Sequence, residues 1–170
     1  MRWAGFGLRV SCPVAMFARS LLLAVALGAS ASAQNYKLNV PLSGARDVVR
    51  YELSANGKWV VYRANQDTEG SFTLYSVSPF GKDLTRIVSR GCFDFALSPD
   101  SRRVVFTRPD GLGSVNIDGS SPARVLGPLP NSFAFQITPD STQVVFLRSR
   151  NLYRVPIEGG EAPTLLHDAQ

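Results

Sequence analysis

Beyond residue 46, the apolar side chains fall into short runs with two recurring patterns. Val49, Tyr51 and Leu53 alternate with polar residues, and Phe93, Phe95 and Leu97, then Phe133, Phe135 and Ile137, alternate with polar residues or alanine. Period two is the mark of a strand with one covered face. After a short polar stretch each run is followed by an unbroken β-branched and aromatic segment: Val60-Val61-Tyr62, Val104-Val105-Phe106 and Val144-Val145-Phe146. A continuous apolar strand is one covered on both faces. A third strand is expected at Leu74-Tyr75-Ser76-Val77, Ser114-Val115-Asn116-Ile117 and Leu152-Tyr153-Arg154-Val155. Turns follow at Phe80-Gly81, Asp118-Gly119 and Gly159-Gly160, and a short fourth strand is expected at 84–88, 124–126 and 164–166. No sustained helical period interrupts this part of the chain, so the expected fold is all-β.

These elements form a repeat. The stretches 51–63, 95–107 and 135–147 align without a gap, Ser54 standing 44 residues before Ser98 and Ser98 standing 40 before Thr138. The polar link between the first two strands is a turn in every copy: Ser54, Asn56 and Gly57; Ser98, Pro99 and Asp100; Thr138, Pro139 and Asp140. Proline pre-sets the backbone for the first central turn position, Asp and Asn favour turns through their own side chains, and Asn-Gly is a hairpin pair. The turn glycine is present only as Gly57, with Ser101 and Ser141 in its place elsewhere. A strand-rich period in the low forties predicts a β-propeller or a similar array. Its units are 47–88, 92–127 and 133–168, after a leading segment 34–46.

The serine-proline-aspartate turn, the valine-valine-aromatic strand and the leucine-tyrosine strand with its glycine-containing turn resemble the WD-like repeat of TolB-type propellers. The resemblance extends over residues 47–168 and bears on architecture more than on function, since one fold hosts many functions. It implies an exported, envelope-associated propeller with a binding role. Three units do not close a ring, because propellers carry about four to eight blades. A truncated product, a subunit completing a ring with a second copy of itself, and an open arc are the three expectations that follow.

Residues 1–33 change how the charge is understood. Arg2, Arg9 and Arg19 precede or flank the run Leu21-Leu22-Leu23-Ala24-Val25-Ala26-Leu27, and small residues close it at Ala31-Ser32-Ala33. A basic start, a short apolar centre and an A-x-A exit make a secretory signal peptide, with cleavage expected between Ala33 and Gln34. Met16 begins a complete signal as well as Met1 does. The apolar run is shorter than the roughly 20 residues a membrane span needs, so no stable span is expected after cleavage, and the chain is expected in the periplasm or outside the cell. The 170-residue chain has 18 basic and 13 acidic side chains, a net charge of +5. Removing three leader arginines leaves 15 against 13, near +2. No basic stripe remains for phosphate neutralisation, so nucleic acid is not an expected partner. A protein partner is: an envelope protein, further blades, or a second copy.

Candidate chemistry is sparse. The one histidine, His167, stands near the C-terminus, and no G-x-S-x-G elbow provides a nucleophile. No catalytic residue and no cofactor are expected. Propellers of this type also precede the hydrolase domain of prolyl-oligopeptidase-like enzymes, so the alternative expectation is the propeller portion of such an exported peptidase without its catalytic domain. Asn65, Asp67 and Glu69 place oxygen donors at alternate positions before Gly70, like the start of a calcium loop. Calcium takes about six to eight oxygens, and the position of the closing bidentate acid is Ser76. A solvated hairpin loop over 65–70 is the plainer expectation. Beyond the leader, Cys92 stands alone in an apolar stretch, which favours a buried, inert thiol.

Overall fold

The computed structural model describes residues 38–39, 41–80, 86–128, 130 and 134–168. The signal segment 1–33, the Ala33–Gln34 junction, Gly81, Leu84 and Phe133 lie outside the described residues. The chain divides into two units, Met1–Gln34 and Asn35–Gln170. Everything that follows concerns the second.

Among the described residues, twelve strands form three four-stranded antiparallel sheets, each a simple meander. The first contains β1 (Val48–Leu53), β2 (Val60–Thr68), β3 (Ser71–Val77) and β4 (Arg86–Arg90). The second contains β5 (Asp94–Leu97), β6 (Arg103–Arg108), β7 (Gly111–Asn116) and β8 (Arg124–Gly127). The third contains β9 (Phe135–Ile137), β10 (Gln143–Arg148), β11 (Asn151–Pro156) and β12 (Thr164–His167). No helix occurs among the described residues. The all-β expectation holds, because alternation and β-branched runs are what a two-sided sheet array requires.

Two details depart from the sequence expectations. In the second sheet the third strand begins at Gly111, so Leu112, and not Ser114, occupies the place of Leu74 and Leu152; Ile117 falls in the following turn. Gly111 and Gly113 hide this strand from a hydrophobic pattern, since they contribute no apolar side chain. In the first sheet β2 runs through Asn65 to Thr68, so a two-residue turn at Glu69 and Gly70 replaces the expected loop over 65–70.

The sheets pack face to face through two cores. Val61, Leu74 and Val88 of the first sheet meet Phe95, Val104, Phe106 and Val115 of the second, together with Cys92 and Ile117. Val105, Leu112 and Leu126 of the second sheet meet Val144, Phe146 and Val155 of the third, with Ile157. The third-to-fourth strand pairing carries the same irregularity in every sheet, between Leu74 and Tyr75, Leu112 and Gly113, and Leu152 and Tyr153. Such a bulge twists the edge strand and re-aims its extra residue. Here those residues are Val88, Leu126 and Leu166, and the first two are buried against the next sheet.

Candidate functional site

The recurring polar residues come together in the turn between the first and second strands of each sheet. In the second sheet the Ser98 hydroxyl donates to Asp100 Oδ1 (2.6 Å) and accepts the Arg103 N–H (2.8 Å), while Asp100 Oδ1 accepts the Arg102 N–H (3.0 Å). In the first, Ser54 donates to Asn56 (2.8 Å) and accepts the Trp59 N–H (3.0 Å). In the third, Thr138 accepts the Gln143 N–H (3.0 Å) and donates to Asp140. The Thr138 hydroxyl, with the Thr142 N–H and hydroxyl behind it, holds the Asp140 carboxyl below the usual carboxylate range. These groups are spent on the turn itself. Ser98→Ala leaves the part-buried Arg103 N–H without its side-chain acceptor, and a loss of about 1 kcal/mol is expected in urea unfolding.

Ser101 and Ser141 are the residues the sequence pattern missed. They adopt left-handed backbone conformations, φ 63° and 62°, matching Gly57 at 68°. Their hydroxyls reach across to the preceding sheet. Ser101 Oγ accepts the Asn56 N–H (3.0 Å) and Ser141 Oγ accepts the Asp100 N–H (3.0 Å). The serine in place of glycine is therefore a link between sheets. The available signal was the gapless alignment of Gly57 with two serines.

Asn65, Asp67 and Glu69 are not brought together as a chelating set. Asn65 is buried in β2, where its Oδ1 accepts the Asp47 N–H and its Nδ2 donates to the Ala45 carbonyl (3.2 Å), pinning the segment before β1. Asp67 and Glu69 are exposed, and Asp67 stands 4.0 Å from Arg90. Among the described residues no cluster of three His, Cys, Asp or Glu side chains has metal-binding geometry.

Three arginines make contacts between sheets. Arg50 of β1 pairs with Glu52 and with Asp94 of β5, and lies 4.8 Å over the Phe95 ring. Arg63 of β2 donates to the Phe93 carbonyl and stacks on Phe72. Arg103 Nε of β6 donates to Glu158 (2.8 Å). Each of Arg50, Arg63 and Arg103 joins one sheet to the next.

Cys92 is buried in the first core, and burial pushes its thiol from an ordinary value near 9.0 up to about 12. Burial likewise pushes the Tyr75 phenol up to about 12, helped by the nearby Asp67 carboxylate. Both acids keep their protons longer when folded than when unfolded. Stability is therefore present below pH ~9 and is lost progressively as pH rises toward 12. The urea midpoint should drop between pH 8 and pH 10.5, and Cys92→Ala should reduce that drop.

The two outer sheet flanks are only partly covered by described residues: on the first, Tyr62, Tyr75 and Val77 are buried in a core with Leu38 and Val48. Directly opposed residues of antiparallel strands share a face. Tyr51, Leu53, Val60, Tyr62, Tyr75 and Val77 share one face of the first sheet, with Tyr62 and Tyr75 stacked at 5.2 Å. In the second sheet the equivalent face (Phe95, Leu97, Val104, Phe106) packs on the first sheet, and in the third the face of Phe135, Ile137, Val144 and Phe146 packs on the second. This aromatic face points at the preceding sheet each time. In the first sheet no described sheet precedes it: Tyr51 is 73% exposed and Leu53 59%, against 1% for Phe95. Together with Leu38 and Val48 they line an apolar groove of about 300 Å³. On the opposite flank Val145, Leu152 and Leu166 occupy the positions of Val105, Leu112 and Leu126. Leu166 is 46% exposed where Leu126 is 3%.

No family model matches the sequence, and no curated protein does. Solved structures do match. An oligogalacturonate lyase in complex with manganese superposes with a TM-score of 0.50 at 15% identity, over 68% of this chain and 36% of that one. An oligogalacturonate lyase from Vibrio parahaemolyticus superposes with a TM-score of 0.41 at 13% identity, over 71% of this chain and 35% of that one. The chain thus spans about a third of the length of these lyases. The first likeness shows the fold: the three sheets are propeller blades.

Proposed function

We propose that the chain is an exported TolB-like propeller segment that acts as a non-catalytic, protein-binding or scaffold module of the cell envelope. The observation that carries this reading is the allocation of its side chains. The recurrent hydroxyls and carboxylates are consumed within the turns, while large apolar side chains are displayed together on a sheet flank. Rimmed apolar patches of this kind mark protein contact surfaces. The leader supports delivery to the periplasm or beyond. Lyase chemistry is not carried over from the structural likeness, which at 15% identity bears on fold alone.

The test has two parts. N-terminal sequencing of the protein recovered from the periplasm should begin at Gln34. Affinity capture from envelope extract should retain a defined protein partner with wild-type chain and lose it when the exposed apolar flank is made acidic. Cytoplasmic retention, or capture indifferent to every surface change, overturns the proposal.

A further inference from the structure

We infer that the seam between the first two blades holds a docking site for an arginine side chain of a protein partner, which stacks on Trp59 and pairs with Asp118. The inference rests on the binding-module reading and deepens it by naming a side chain that the partner presents.

One seam further on, the chain fills the same site itself. Between the second and third blades the Arg103 guanidinium donates from Nε to Glu158 Oε1 (2.8 Å), makes a second bond to that carboxylate, and donates from Nη1 to the Ser114 hydroxyl (3.2 Å). The corresponding residues between the first and second blades are Trp59, Asp118 and Ser76. Matching pairings fix the correspondence. The Trp59 carbonyl accepts the Ser54 N–H as the Arg103 carbonyl accepts the Ser98 N–H. The Ile117 N–H donates to the Arg102 carbonyl as that of Ile157 does to Thr142, which puts Asp118 where Glu158 stands. Ser76 opposes Val61 as Ser114 opposes Val105. Both acceptors keep their places, and the guanidinium that joins them is replaced by an indole.

The indole has a single N–H and no charge, so it cannot bridge the two acceptors. The fully buried Ser76 hydroxyl accordingly has no partner among the described residues. Beside Trp59 a cleft of about 330 Å³ opens between the blades, lined also by Ser101, Arg102, Asn116, Ile117 and Asp118. Trp59 is half-buried and packs against the first core, which holds it as one wall. Tryptophan is the best aromatic partner for a guanidinium, whose planarity lets it stack on the ring while its edge pairs with a carboxylate. Asp118 Oδ1 accepts the Ser120 N–H (2.9 Å), which anchors that carboxylate to its turn. Among the described lining residues the like charge is Arg102, an exposed side chain whose counterpart at the filled seam is Thr142. Its charge weakens the site and its removal should strengthen it.

The experiment is a titration of the full chain carrying Trp3→Phe, in which Trp59 is the sole tryptophan, with acetylated, amidated arginine, followed by Trp59 fluorescence. Saturable quenching in the millimolar range is expected. The citrulline analogue, of the same shape but uncharged, should bind about ten-fold more weakly. So should the arginine probe to Asp118→Asn, which keeps an acceptor for Ser120 but loses the charge. Arg102→Ala should bind the arginine probe more tightly. Circular dichroism confirms that each variant keeps its sheets, and the citrulline comparison needs no variant at the site. Equal response to the two probes, unchanged affinity in Asp118→Asn, or preference for acetylated, amidated glutamate would each overturn the inference. The titration requires no partner, so its failure removes this site and leaves the binding-module reading to the capture experiment. Absence of any captured envelope protein strikes that reading even where the titration succeeds.

Discussion

Gly111→Ala is expected to cost about 3 kcal/mol or more and to disrupt the middle blade. Gly111 opens β7 with φ at +142°, a conformation L side chains rarely adopt, and a methyl group there would stand 2.3 Å from the Gly127 carbonyl oxygen. That oxygen belongs to β8, whose Gly127 pairs with Leu112, so retreat would pull apart the β7–β8 ladder. Backbone strain alone costs on the order of 1–3 kcal/mol, and the displaced strand adds to it. Gly57→Ala supplies the comparison. Its φ is also positive, at +68°, but nothing lies within 4 Å of the added atom, so only the conformational part, about 1 kcal/mol, should be lost. Urea unfolding of the two variants should differ by at least 1.4 kcal/mol, about ten-fold in the unfolding constant. Equal losses would show that the contact with Gly127 is unimportant.

Phe106→Ala is the second large effect, expected at about 3–5 kcal/mol. The ring is fully buried at the seam between the first two blades, among Val61, Leu74, Phe95 and Val115. The middle blade is also the one in which the ring has no aromatic partner on the third strand. Tyr62 stacks on Tyr75 and Phe146 on Tyr153, but Phe106 faces Gly113, where a Cβ would come within 2.8 Å of the ring. The ring occupies the space a side chain at 113 would need. Gly113→Leu should therefore be destabilising by itself, yet should restore part of the stability of Phe106→Ala by filling the vacated volume. Thermal unfolding of the two single variants and the double variant measures this coupling. Additive losses would mean that the two positions do not share that space.

Much of this architecture was legible because burial imposes a period. Val104-Val105-Phe106 reads as a strand covered on both sides because it feeds both cores, Val104 and Phe106 into one and Val105 into the other. What was not legible has physical reasons too. The apolar pattern puts β7 two residues late because a strand of Gly111, Leu112 and Gly113 makes room for a neighbouring ring and a neighbouring carbonyl in place of its own apolar surface. Residues 65–68 looked like a loop because they are polar. Asn65 and Gln66 are nonetheless buried, the first tied to residues 45 and 47 and the second accepting the Tyr62 hydroxyl (3.3 Å). Of the candidate site, the turn residues were found by spacing, and their structural role emerges only from the hydrogen bonds they make. The face of Tyr51 and Leu53 was recognised as apolar, but its exposure depends on which sheet stands beside it, and alternation along one strand carries no such information.

The serine bridges have a consequence for how such arrays are inherited. Ser101 and Ser141 each take a hydrogen from the main chain of the preceding turn, at Asn56 and Asp100, and ask nothing of the side chain there. A blade with this serine can therefore follow any blade that makes the turn, whatever residues that turn contains. Duplication, loss or exchange of whole blades leaves the bridge intact, whereas an insertion inside the turn would break it. A further unit of about forty residues joined to such an array would thus arrive already in register.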